Sequence, residues 1–76
     1  MTRLPRITAA ELVSALKRAG WHEVRQTGSH LHLAHPERSG EVLTVAMHAG
    51  RMVPLGTLNA ILSQADLSAD ELRKLL

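Results

Sequence analysis

Gly28-Ser29-His30-Leu31-His32-Leu33-Ala34-His35-Pro36 is the stretch whose reading decides the fold. After the glycine the residues alternate. Leu31 and Leu33 point to one side of a strand with Ser29 in phase, and His30, His32 and Ala34 point to the other. One side can rest on a core. The other presents two imidazoles to solvent, so this strand is a candidate working surface.

Upstream, Trp21 to Gln26 roughly alternate, and Thr27-Gly28 reads as a tight turn into the strand. Pairing Gln26 with Ser29 puts Val24 opposite Leu31, Arg25 opposite His30 and Glu23 opposite His32. Trp21 falls with the histidines in this register although its bulk argues for burial, so its side stays open. Downstream, Pro36 to Gly40 breaks the pattern, and Glu41 to Met47 reads as a third, β-branched strand. Pairing His35 with Glu41 sets Leu33 opposite Leu43, Leu31 opposite Val45, His32 opposite Thr44 and His30 opposite Ala46. A one-residue slip would send an apolar set to the wrong face, so these hairpins check each other.

Helices flank the strands. Thr8 and Glu11 have the spacing of a capping box, Leu12, Val13, Leu16 and Ala19 recur at helical spacing, and Gly20 suits a left-handed C-terminal position. Pro54 fits the first turn of a second helix with a stripe of Leu55, Leu58, Ile61, Leu62 and Ala65. Ser68 and Glu71 repeat the capping-box spacing before Leu72, Leu75 and Leu76, which predicts a short C-terminal helix. Met47 and Met52 read as packing residues. The expected fold is α+β: one domain over residues 1–76, a three-stranded antiparallel sheet with both long helices on its one apolar face. The opposite face, with Glu23, Arg25, His30 and His32, is left to solvent or a ligand.

Composition bounds the partners. The 76 residues include no cysteine, which excludes disulfides and cysteine zinc sites. No apolar run reaches the roughly 20 residues of a membrane span, and Met1-Thr2-Arg3-Leu4-Pro5-Arg6 lacks an apolar signal core, so the chain reads as soluble, unexported and cytoplasmic. The net charge of +2 says little, and a lone aromatic residue, Trp21, argues against a base-stacking platform.

Gly20-Trp21, Arg25-Gln26-Thr27-Gly28-Ser29-His30, His35-Pro36, Pro54-Leu55-Gly56-Thr57-Leu58 and Ile61-Leu62-Ser63-Gln64-Ala65 together resemble the HicA-like (YcfA-like) family of small toxins. The likeness runs from about Thr8 to Leu67. It implies a double-stranded-RNA-binding-domain-like α-β-β-β-α fold, the order already read from the residues. It also implies an mRNA interferase of a type II toxin–antitoxin system, active in stress response, that cuts messenger RNA and is restrained by a HicB-like antitoxin protein. The catalytic histidine of the family's Gly-Ser-His motif is His30 here. Leu55 and Asn59 stand where many relatives carry basic residues, which bears on RNA affinity because phosphate contacts supply most sequence-independent binding.

Histidine suits metal-free RNA cleavage, in which a base takes the 2′-hydroxyl proton and an acid protonates the leaving 5′-oxygen, since both its forms are populated near neutrality. His30 is the candidate base or acid, and His32, about 6.5 to 7 Å along the same face, the candidate second proton carrier. An exposed cross-strand pair with Glu23 is the plainer reading of His32. Arg25 is the candidate phosphate partner, with Gly28 and Ser29 aiming His30, and Lys17, Arg18 and Arg51 as further candidate phosphate contacts. Lys17 and Arg18 equally suit a solvated helix face, His35 a turn, and His22 and His48 strand-end or loop positions. No cofactor is expected. Two readings compete with the ribonuclease: a non-catalytic RNA-binding module of the same fold, and a metal site of His30, His32 and His48, disfavoured for want of an evident carboxylate or cysteine to complete it.

Overall fold

The computed structural model describes residues 3–76; Met1 and Thr2, which begin the stretch read as lacking a signal core, lie outside the described residues. The elements run α1 (Ala9–Arg18), β1 (His22–Thr27), β2 (His30–Ala34), β3 (Val42–Ala46), α2 (Leu55–Ala65) and α3 (Ala69–Leu75). The strands make one antiparallel sheet in the order β1-β2-β3. This is the α+β arrangement read from the sequence. Among the described residues no helix is long and apolar enough to cross a membrane.

The helix bounds follow from their ends. Thr8 Oγ1 accepts the Glu11 N–H at 3.2 Å while Glu11 Oε1 accepts the Thr8 N–H at 2.9 Å, and Ser68 and Glu71 repeat both bonds at the start of α3. α1 closes with Gly20 at φ 102°, its N–H on Lys17 O and the Trp21 N–H on Leu16 O, each at 3.0 Å. That turn sends Trp21 into the interior at 3% exposure, which settles its side. α2 begins after Pro54 with no side-chain cap and ends on Asp66 in the left-handed conformation.

Leu12 and Leu16 of α1, Leu58 of α2 and Leu72 of α3 are fully buried with Leu33, Leu43 and Val45 of the sheet. Both long helices contact β3, and α3 lies against α1. Each such leucine is worth about 1.5–3 kcal/mol of burial, against about 0–1 kcal/mol for an exposed ion pair, so the apolar face of the sheet fixes the architecture.

The β2–β3 register is the expected one: His30↔Ala46, Leu31↔Val45, His32↔Thr44, Leu33↔Leu43. The β1–β2 register is not. Thr27 faces His30, Gln26 faces Leu31 and Arg25 faces His32, followed by a bulge, after which Glu23 faces Leu33 and His22 faces Ala34. The turn consists of Gly28-Ser29 rather than Thr27-Gly28, because Gly28 at φ 60° fits the first central position of a two-residue hairpin loop. Val24 is the extra residue of the bulge, and it moves Glu23 to the helix-covered side, where its carboxylate pairs with Lys17. The expected pairs Arg25–His30 and Glu23–His32 are therefore corrected, yet Arg25 remains on the face of the histidines.

Two packing expectations also change. Met52 is 49% exposed, because it bridges Thr8 in extended backbone while its neighbour Val53 turns inward, its N–H on Ile7 O at 2.8 Å. Leu55 is exposed at the first turn of α2, and the buried stripe begins at Leu58.

Candidate active site

Paired residues of an antiparallel ladder share a face, so the side of the sheet away from the helices carries Arg25 and Thr27 from β1, His30 and His32 from β2, and Thr44 and Ala46 from β3. His30 is exposed there, directly after the turn. Ser29 O accepts the Met47 N–H at 2.6 Å, which ties the turn to the end of β3 and holds the start of β2 in place. Arg25 lies across from His32, which leaves it diagonal to His30 at about 7–8 Å by sheet geometry, still within reach of a long side chain.

His32 is half-buried, and its Nδ1 lies 3.1 Å from Thr44 Oγ1. Sequence reasoning set Thr44 opposite His32 but gave its hydroxyl no role. The register was the available signal.

The other candidate cations lie elsewhere. Lys17 is engaged with Glu23, and Arg18 Nη1 donates to Leu75 O at 2.7 Å; both belong to α1, behind the sheet. Arg51 is exposed and, with His48 and Thr57, lines a cavity of about 290 Å³ that also includes Ala46, the ladder partner of His30. His22, at the far end of β1, faces Ala34.

His35 has a structural place. Its Nε2 lies 3.0 Å from Ala19 O and its Nδ1 accepts the Glu37 N–H at 3.1 Å, which requires the neutral ring with the proton on Nε2. The ring stands edge-on to Trp21 at 5.3 Å. A Cβ at position 20 would come within 2.6 Å of His35 Nε2, so Gly20-Trp21 and His35-Pro36 form one contact. Among the described residues no three His, Asp or Glu side chains gather to hold a metal ion, so the grouping of His30, His32 and His48 is not formed.

The open face thus joins two imidazoles on alternate residues of a strand with a guanidinium beside them. Such a set can move a proton at each of two points and pair with an anion between them. A family model described as the HicA toxin of bacterial toxin–antitoxin matches residues 9–67, from the start of α1 to just past α2. No curated protein matches the chain.

Proposed function

The chain belongs to the HicA toxin family, and from that premise we propose that it is an endoribonuclease, an mRNA interferase that cuts messenger RNA by histidine acid–base catalysis without a metal. The observation that carries this reading is the exposure of His30 on the face opposite the helices, with His32 and Arg25 on that same face. One imidazole takes the proton from a ribose 2′-hydroxyl. The 2′-oxygen then bonds to the adjacent phosphorus as the P–O5′ bond breaks, and the second imidazole, protonated beforehand, delivers its proton to the leaving 5′-oxygen. The products are a 2′,3′-cyclic phosphate and a 5′-hydroxyl. Exchange with water resets both rings.

His30 takes one proton role and His32 the other. Their spacing of about 6.5 to 7 Å along the strand spans the 2′- and 5′-oxygens around one phosphorus. Arg25 pairs with the phosphate and stabilises the charge that grows on its oxygens. Gly28 and Ser29 set the turn that aims His30, and Arg51 is a flanking phosphate contact. Lys17 and Arg18, on the helix side, are outer contacts for a longer RNA. A HicB-like antitoxin restrains the enzyme by covering this open face in the cytoplasm, and its release under stress frees the face for RNA.

Incubating the purified chain with RNA in excess chelator tests the proposal. Cleavage leaving cyclic-phosphate and 5′-hydroxyl ends, and blocked by a 2′-O-methyl group at the cut site, is expected. Binding without cleavage would favour the non-catalytic RNA-binding module instead.

A further inference from the structure

His30 and His32 share a strand and a face but are held differently. His30 is exposed, whereas His32 is half-buried between β1 and β3, with Arg25 across on one side and Thr44 across on the other. Thr44 Oγ1 lies 3.1 Å from His32 Nδ1. Its chain neighbours Leu43 and Val45 are buried against the helices at 0% and 1% exposure, so the hydroxyl is offered from a segment of β3 that is anchored on both sides. With Nδ1 engaged, Nε2 is the ring nitrogen left for a ligand.

We propose that Thr44 is a positioning residue for His32: it accepts the Nδ1–H, fixing the neutral ring in the tautomer whose lone pair sits on Nε2. The proposal rests on the ribonuclease reading above, in which His32 is the second proton carrier. Arg25 cannot take this part, because a guanidinium has no acceptor, while a threonine hydroxyl has two lone pairs. The proton count closes in either role. As base, Nε2 receives the 2′-hydroxyl proton and the ring becomes an imidazolium whose Nδ1–H still donates to Thr44. As acid, Nε2 gives its proton to the 5′-oxygen, and the neutral ring keeps the same Nδ1–H bond. The ring need not turn between the two states, and that constancy is what an orienting hydrogen bond supplies to a catalytic imidazole.

Thr44→Val removes the hydroxyl, keeps the branched shape and suits a strand, and Thr44→Ser restores the acceptor. Nitrogen chemical shifts of the His32 ring, measured on the chain without RNA, should report the Nδ1–H tautomer when the ring is neutral. Thr44→Val should move the ring toward the Nε2–H form and Thr44→Ser should move it back. On RNA, Thr44→Val should lower kcat about three- to tenfold, the worth of one net hydrogen bond, with KM little changed. In a His32→Ala background the same substitution should cost nothing more. A neutral wild-type ring in the Nε2–H form, a Thr44→Val variant cutting at full rate, or an equal loss in the His32→Ala background would each overturn the role of Thr44. A wild-type chain that cuts no RNA would instead overturn the ribonuclease reading, while the tautomer measurement still decides whether Thr44 fixes the ring.

Discussion

Replacing Gly20 by alanine should destabilise the fold far more than an ordinary loop substitution, and the structure supplies both parts of the cost. Gly20 sits at φ 102°, where a side chain is strained by about 1–2 kcal/mol. The added Cβ would also stand 2.6 Å from His35 Nε2. A flexible side chain could move away, but His35 is pinned by Ala19 O at 3.0 Å and the Glu37 N–H at 3.1 Å and lies against Trp21. Displacing it forfeits at least one hydrogen bond, worth about 0.5–1.5 kcal/mol net, and loosens the ring contact, so the expected loss is about 2–4 kcal/mol. A chain of this length has about 4–11 kcal/mol in all at the usual stability per residue. Gly40→Ala is the control, with φ 82° and nothing within 4 Å of the added Cβ, so it carries the backbone part alone. Urea unfolding followed by the fluorescence of the single tryptophan compares the two. At a slope of about 1 kcal/mol per molar urea, the Gly20→Ala midpoint should lie about 1 M or more below that of Gly40→Ala. Equal midpoints would refute the contact between Gly20 and His35 as a determinant of the fold.

Three further outcomes follow from local geometry. Asp66 is left-handed at φ 59°, so Asp66→Val should cost about 1–2 kcal/mol in the same unfolding assay, whereas Asp66→Gly should be neutral or stabilising. The ion pair that Asp66→Gly removes, to Arg38 at 3.3 Å, involves a carboxylate 84% exposed and counts for little. The Glu71 carboxyl is held below its ordinary value of 4.5, first by the Ser68 backbone N–H and then by its hydroxyl. Its contribution to α3 is therefore complete above the ordinary value and lost as pH falls through the lowered one. Ser68→Ala keeps the backbone N–H and removes only the hydroxyl, so an NMR titration should show the Glu71 midpoint rising part of the way toward 4.5, and an unmoved midpoint would remove the hydroxyl from the causes that hold the carboxyl down. Arg25→Ala should weaken RNA binding and flatten its dependence on the logarithm of salt concentration by about 0.7, one phosphate contact on a single strand, and an unchanged slope would remove Arg25 from the phosphate.

The helix starts were legible because capping boxes are local: Thr8 with Glu11, and Ser68 with Glu71, need only three residues of spacing. The β2–β3 register was legible because Leu31, Leu33, Leu43 and Val45 alternate on both strands and all four are buried, so burial polices the pairing. β1 has no such control. Every residue from His22 to Thr27 is exposed, and an edge strand with no core side chain gives the sequence nothing to fix its phase, so the Gly28-Ser29 turn and the bulge at Val24 were missed. The site partly survived that error. The register shift re-paired Arg25 from His30 to His32, and the bulge then took up the extra residue, leaving Arg25 on the open face and sending Glu23 to the other. His35 was legible as a turn residue, but its bond to Ala19, 16 residues away in sequence, needs the folded chain.

The rate of RNA cleavage by His30→Ala, measured beside its RNA affinity, bears most directly on the catalytic role of the exposed imidazole. Loss of a general acid or base should slow cleavage about 10²- to 10⁴-fold with affinity within a few-fold of the parent chain. Cleavage by His30→Ala at the parent rate would contradict the assignment.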